Sequence, residues 1–598
     1  MGGMFIRQAF RTVQGERRAY WALVESYRSE RGPRQRVVAW LGSMDEAGRI
    51  GVQQAAQALG QDDRPKSPHT QRTLFEYEDQ SATPQWVNVN VRGVRVENTR
   101  HFGGPWLALQ LIQKLKLDEF LDRELPSGKE QVRWSLTSLV LVIARLLEPS
   151  SELYISEQWY PKTALPELVG VPQERMDDNR LYRALDELLP LKESLEVHLK
   201  NRVGELFDLE YDLLLYDVTS TFFEGQCQAN PLAARGYSRD QHSDCKQVCI
   251  GLVVSRCGMP LGYELFAGNT ADVTTVQNIV ETMEKRYGTS DRIWVMDRGM
   301  VSEDNLQFLR EGQRRYIIGT PKSMLKKFEQ ELLKEDWRTI RDGIEVKLCK
   351  RPPQDDETET SEPQNEVFIL CRSRDRKAKD EAIVNRAAKK IQERIEAMQA
   401  RCEKQNREIQ KIEREVGRLL GQNTRASHLF DIQVKKNAEG FATIVWQKIK
   451  PQTEWHNLAD GCYLLRSNVT DWSDEALWKA YIQLTEAENA FRIHKSDLSI
   501  RPIWHQKEDR VRAHIFVCFL AYVLWKTLGQ MCHRAGIGEE PRRVLAELSE
   551  LRLVDVVLPT DAGIDLRTRC VTRPSDHQRI LLDKLGLKLP TKIIPEQM

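Results

Sequence analysis

Residues 213–225, LLLYDVTSTFFEG, constrain this chain more than any other stretch. Leu213, Leu214 and Leu215 form a short apolar run of the kind expected in a strand buried on both faces. Asp217 follows Tyr216 at the end of that run, with Thr219, Ser220 and Thr221 directly after it. A carboxylate there is costly to bury unless it is paired or holds a metal. The competing reading is an aspartate that caps a loop just past a strand. A second stretch, RIWVMDRGM, repeats the theme: an apolar run, then Asp297, then a glycine turn. Two aspartates at the ends of buried strands favour chemistry over capping.

The 598-residue length allows about four domains. Hydrophobic residues make up 41%, charged residues 29%, and the mean hydropathy is −0.52, as in ordinary globular proteins. A net charge of +1 gives no global argument for nucleic acid, so DNA contact has to come from local patches. The eleven cysteines contain no CxxC pair, which predicts reduced cytoplasmic thiols and neither a zinc site nor a disulfide framework. The start, MGGMFIRQAF, has no apolar signal core, and the apolar runs near 136–147 and 515–525 are too short to span a bilayer. The expectation is a cytoplasmic, nucleoid-associated protein without membrane contact.

Residues 1–60 read as a small β-rich domain, with strands MFIRQAF, YWALVESYR and RQRVVAWLG and a short helix VQQAAQAL. The first 40 residues carry eight arginines and three glutamates, a local balance of +5 that suits a DNA backbone or a solvated sheet face. Residues 61–99 are polar and proline-bearing and read as linker. Residues 100–209 follow helical spacing and form a second candidate for DNA binding; Gly103–Gly104 before Pro105 marks a helix start, not a phosphate loop. Residues 210–321 give three successive strands followed by strand–helix alternation, a mixed α/β sheet. Over 322–460 the sheet pattern is interrupted by an acidic low-complexity stretch and a long helix. That helix has apolar residues at 384, 388, 391, 395, 398, 402, 409, 412, 416 and 419, with Gln405 in one seam position. The spacing predicts a coiled-coil arm or helical hairpin, with packing inside the chain and dimerisation both open. Residues 461–530 return to the core through GCYLLRSN, and 531–598 form a C-terminal α/β extension.

A third carboxylate lies in DEALWKAYIQLTEAENAFRIHKSDL, a helical pattern beginning at Ser473 or Asp474. Tyr481, Leu484, Glu488, Arg492 and Lys495 share one face of it, which suits phosphate handling or a surface helix with a Glu488–Arg492 charge pair.

With these residues in view, the chain resembles the DDE transposases of bacterial insertion sequences, in the cut-and-paste group marked by a Tyr-(2)-Arg-(3)-Glu-(6)-Lys signature. Tyr481, Glu488 and Lys495 match that spacing, and Leu484 stands at the arginine position. The resemblance runs through YDVTSTFFEG, GYSRD, GMPLGYELFAGNT, WVMDRGM and the AENAFRIHKSDLSIRPIWH block, about 210–526, and the MFIR-type start is similar to relatives in this group. It implies an α/β RNase H-like catalytic core with a large insertion before the catalytic helix, flanked by a small β-rich N-terminal domain and a helical domain. Carried over by position, the catalytic and metal-binding triad is Asp217, Asp297 and Glu488; Glu486 competes but does not keep the spacing to Tyr481 and Lys495.

Phosphodiester cleavage needs an activated nucleophile and a stabilised leaving oxygen, and two divalent ions can supply both. Mg²⁺, with Mn²⁺ as a substitute, takes oxygen ligands, so carboxylates plus the scissile phosphate suffice. The implied reaction is hydrolysis at element ends followed by attack of the freed 3′-hydroxyl on target DNA. Tyr481, Lys495, Arg492 and Arg298 are the expected phosphate contacts. Arg235, Tyr237 and Arg239, with Lys246, form a basic aromatic loop that suits backbone contact or is a plain surface loop. The expected partners are the element's terminal inverted repeats, target DNA and a second copy in a homodimer on paired ends. Two other readings stand beside the transposase: a domesticated DNA binder without cleavage, and a nuclease of the same core without strand transfer.

Overall fold

The computed structural model describes residues 4–13, 16–29, 32–42 and 87–590, apart from 126, 127, 129, 290, 351–364, 438, 439, 450–457 and 562. Strands β1 (Met4–Val13), β2 (Glu16–Ser29) and β3 (Gly32–Gly42), the three read from the sequence, form an antiparallel meander. The expected helix at 52–59 and most of the expected linker lie outside the described residues. β4 (Arg95–His101) overturns the end of that linker. Valines at 89, 91, 94 and 96 give the stretch a strand-like character, and β4 pairs with a strand more than 450 residues away.

Five longer helices follow, with short helical turns between them: α1 (Gly103–Lys114), α2 (Leu117–Glu124), α3 (Trp134–Leu147), α4 (Asp178–Leu188) and α5 (Lys192–Phe207). Then come β5 (Leu213–Phe222), β6 (Gln247–Ser255), β7 (Pro260–Ala267), α6 (Val276–Tyr287), β8 (Ile293–Met296), α7 (Glu303–Glu311) and β9 (Arg315–Gly319). β7, β6 and β5 are antiparallel neighbours, and β8 and β9 continue from β5 in parallel. This is the mixed sheet expected for an RNase H-like core.

The reading of 322–460 as an interruption of the sheet is incorrect. β10 (Arg338–Arg341), β11 (Ile344–Lys350) and β12 (Val367–Ser373) join the same sheet, and β15 (Cys462–Ser467) links them to β9, giving nine strands in the order β10-β11-β12-β15-β9-β8-β5-β6-β7. VFILC is a buried apolar run of the same type as LLLY, so its strand character follows from the same rule. The insertion proper leaves the sheet after Ser373 and returns at Cys462. It holds α8 (Arg374–Lys404), α9 (Ile409–Gln422), β13 (Phe430–Lys436) and β14 (Ala442–Lys448). The seam splits at Gln405, which is extended (φ −142°, ψ 133°) and ends α8, so the hairpin form holds and Gln405 is no seam residue. Ile391, Ile395 and Met398 of α8 meet Ile412, Val416 and Leu419 of α9, and Phe430, Ala442 and Ile444 close the same cluster. The seam is filled within the chain.

After β15 come α10 (Asp474–Ile482), α11 (Thr485–Ser496), α12 (Glu508–Arg534), α13 (Pro541–Ser549), β16 (Arg552–Pro559), β17 (Asp565–Val571) and α14 (Asp576–Lys584). β16 sits between β17 and β4, so the C-terminal extension and residues 95–101 form one small sheet. α12 is long and apolar enough by composition to cross a membrane, longer than the run near 515–525 suggested, yet most of it is buried inside the protein. A helix apolar on every side has to be covered on every side. α3, α4, α11 and the sheet cover it, so the helices of 100–209 share one continuous core with the sheet and do not form a separate domain.

Candidate active site

Alternation along β5 decides which way Asp217 points. Leu213 and Leu215 enter the core shared with α12, whereas Leu214, Tyr216 and Val218 enter the smaller core under α6 and α7. Successive side chains of a strand take opposite faces, so Asp217 lies on the α12 side. β8 alternates in the same way, with Val295 in the first core and Trp294 and Met296 in the second, which places Asp297 on the same side as Asp217. Asp217 is not at a strand end as expected. β5 runs on to Phe222 because every residue from Leu214 to Phe222 pairs with β6, and only the parallel pairing with β8 stops at Tyr216.

α11 brings the third acid. Ala487, Ala490, Phe491 and His494 are buried against the sheet, and the two alanines let the helix lie close. The opposite edge presents Glu488, Arg492 and Lys495. The expected single helix from 474 is two helices joined by a tight turn. Leu484, Glu486 and Ala487 donate their backbone N–H groups to the carbonyls of Tyr481, Gln483 and Leu484, an i to i−3 step. The chain stays right-handed helical there, so Tyr481 still reaches the site.

Asp217, Asp297 and Glu488 line one cleft of about 410 Å³, with Val218, Thr219, Arg239, Asp272, Leu484, Phe491, Arg492 and Lys495. The half-buried Asp217 carboxyl is raised from its ordinary 3.8 to about 7. Burial is the main cause, and the Asp297 and Glu488 carboxylates add to it, against the Val218 N–H and Arg239. The Val218 N–H donates to Asp217 Oδ1 at 2.8 Å. Tyr481 Oη donates to Asp297 Oδ1 at 3.3 Å, and burial together with Asp297 raises the Tyr481 pKa. Glu486 turns away, 3.6 Å from Lys526 Nζ, and takes no part in the cleft.

Other expected contacts divide. Lys495 Nζ donates to Asp240 Oδ1 at 3.0 Å, and Arg501 pairs with the same carboxylate. Burial lowers the Lys495 pKa, and Asp240 opposes that shift. Arg492 is exposed beside Glu488. Arg239 lines the cleft but pairs with Asp272. Arg298, Arg235 and Tyr237 (85% exposed) are at the surface and do not line the cleft. Leu484 is 8% exposed and forms part of the cleft wall where the signature has arginine.

Sequence reasoning missed two residues. Asp272 is a fourth carboxylate in the cleft, in the turn after β7, where it reads as an ordinary acid at a helix start. Asp240, within GYSRD, anchors Lys495; no spacing rule could pair residues 255 positions apart. The cleft's donors are carboxylate oxygens, with no histidine or cysteine among its lining residues, which is the chemistry of a hard divalent cation. Four carboxylates facing one cleft fit such an ion by donor chemistry, although their oxygens are not all drawn within 4.8 Å of one another into a ready-made cage.

Fold and cleft define an RNase H-like core with an acidic cluster at the edge of its central strands. The family model described as the transposase DDE domain matches residues 210–524, more than half of the chain. The model of the IS1634 family transposase N-terminal domain matches residues 6–71. The chain belongs to the DDE transposases of bacterial insertion sequences, and it is an enzyme that acts on DNA. A cryo-EM structure of a piggyBac transposase synaptic complex with hairpin DNA is similar over 74% of this chain and 79% of that one, at 10% identity and a TM-score of 0.35. No curated protein matches the chain.

Proposed function

We propose that Asp217, Asp297 and Glu488 are the catalytic acids and hold the divalent cations of the reaction, Mg²⁺ by preference and Mn²⁺ as a substitute. The observation that carries this reading is that three acids separated by 80 and 191 positions converge on one cleft. Bound there, the ions would lower the pKa of an attacking water or hydroxyl and stabilise the departing oxygen. The protein's own groups hold the acids in place. The Val218 N–H fixes one oxygen of Asp217, and Tyr481 fixes one oxygen of Asp297. Asp240 keeps the Lys495 ammonium at the cleft wall, and the exposed Arg492 stands one turn from Glu488 to meet a phosphate. Arg298, Arg235 and Tyr237, exposed outside the cleft, serve as outer backbone contacts.

In the proposed reaction, water attacks phosphorus at the element end and the P–O3′ bond breaks, leaving a 3′-hydroxyl. That hydroxyl then attacks a phosphodiester of target DNA, forming one P–O bond as another breaks. The enzyme works as a homodimer on paired terminal inverted repeats, in the cytoplasm on nucleoid DNA. Incubation with its own terminal repeats, target DNA and Mg²⁺ should give both nicked ends and joined products. Asp217→Asn should abolish both while leaving binding intact; nicks without joints would instead identify a nuclease.

A further inference from the structure

Charge in this chain is segregated. Residues 374–448, the insertion proper, carry eighteen lysines and arginines and eleven aspartates and glutamates, a net charge of +7, although the whole chain carries +1. The other 523 residues together are therefore acidic, at −6. Within the insertion the cations are also ordered. Lys379, Arg386, Lys390, Arg394, Arg401 and Lys404 all lie on α8, and at 3.6 residues per turn they fall within an arc of about 80°. All six are exposed. The arc contains no acid: Glu381, Glu396 and Glu403 fall on the far side, Asp375 and Glu393 lie about 20° beyond one edge and Asp380 about 40° beyond the other, and Val384, Ala388, Ile391, Ile395 and Met398 face α9 and the β13–β14 hairpin. Among the described residues only Arg401 of the six has a carboxylate within 4 Å, Glu415 at 3.9 Å.

We infer that this stripe is a binding surface for the phosphate backbone of duplex DNA flanking the cut. A solvated helix that only needed solubility would interleave its signs, as i,i+4 pairing favours. A single-sign row instead neutralises phosphates and gains from counterion release. From Lys379 to Lys404 the stripe is about 38 Å long, roughly the rise of 11 base pairs of B-DNA. Its root lies beside the cleft: the Arg376 guanidinium stacks over the Tyr463 ring at 4.6 Å, and its charge reaches Tyr481, the residue bonded to Asp297. The apolar seam of α8 is already filled, so the exposed basic stripe, not the seam, is what the arm offers a partner. This inference rests on the reading of the cleft as the place where DNA is cut.

The test uses the full chain with Asp217→Asn, so that binding is read without cutting. Fluorescence anisotropy with a duplex longer than the arm is followed over a salt series, with and without Lys390→Gln/Arg394→Gln/Arg401→Gln. Loss of three phosphate contacts should lower the slope of log K against log salt by about 2.7 and weaken binding about 10- to 100-fold near 0.1 M salt. The single change Arg394→Gln should lower the slope by about 0.9, and it keeps the test decisive if the triple variant misfolds. Lys389→Gln removes a cation of the same helix outside the stripe and should leave the slope nearly unchanged. An unchanged slope and Kd in the stripe variants, or an equal loss in Lys389→Gln, overturns the inference. If the wild type fails to cut in Mg²⁺ yet the stripe variants lose binding, the stripe stands and the cleft reading falls.

Discussion

Asp217→Asn should stabilise the metal-free protein at neutral and alkaline pH, the reverse of what loss of an ordinary buried hydrogen-bonding group does. The folded carboxyl is raised from 3.8 to about 7. Between those values the unfolded chain has lost this proton and the folded chain has kept it, so stability falls as pH rises. The fall starts near pH 4 and levels off above pH 7. A shift from 3.8 to about 7 corresponds to about 4 kcal/mol, an upper figure for a half-buried group beside water. The amide isostere carries no charge and escapes this cost. In chelator at pH 8, thermal melting of the core should therefore show the variant above the wild type, by up to several degrees for a protein of this size. The gap should close toward pH 4.5. Added Mg²⁺ should raise the wild type and leave the variant nearly unmoved, because a ligand that binds only the folded state stabilises it. A variant less stable than the wild type in chelator at pH 8, or a wild type indifferent to Mg²⁺, would refute the reasoning.

Tyr481→Phe removes the bond to Asp297 and leaves the ring packed; nicking at element ends should fall about 5- to 20-fold, with stability changed by about 1 kcal/mol or less. Gly319→Ala should mimic that loss, because an added Cβ would sit 2.5 Å from Tyr481 Oη and displace the hydroxyl; a normal nicking rate in this variant would show that the tyrosine's position does not matter. Glu366 is buried and accepts from Arg310 at 2.8 Å, Arg466 at 2.8 Å and Tyr316, and these bonds outweigh burial to hold its pKa below 4.5. Its contribution is present above that value and lost as pH falls, so Glu366→Gln should cost about 3–5 kcal/mol at pH 7 with the deficit shrinking in acid, as read by denaturant melts.

Much of the architecture was legible because it depends on local pattern. The apolar runs of β5, β6 and β8, the aspartates beside them and the helical spacing of α11 follow from burial and periodicity, which neighbouring residues set by themselves. Which of Glu486 and Glu488 faces the cleft was also legible, since two residues of helix, a rotation of about 200°, set one toward the cleft and the other toward Lys526. What the sequence could not decide was which distant segments meet. VFILC obeys the same local rule as LLLY but lies in a stretch read as an interruption of the sheet, and only the assembled sheet shows that it lengthens the core between β11 and β15. Asp240 became the anchor of Lys495, Asp272 the partner of Arg239, and β4 the neighbour of β16 because folding brought them together across 33 to more than 450 positions. Period and hydrophobicity belong to a segment and survive in the linear chain; charge pairing and sheet order belong to contacts, which exist only once the apolar faces have chosen their partners.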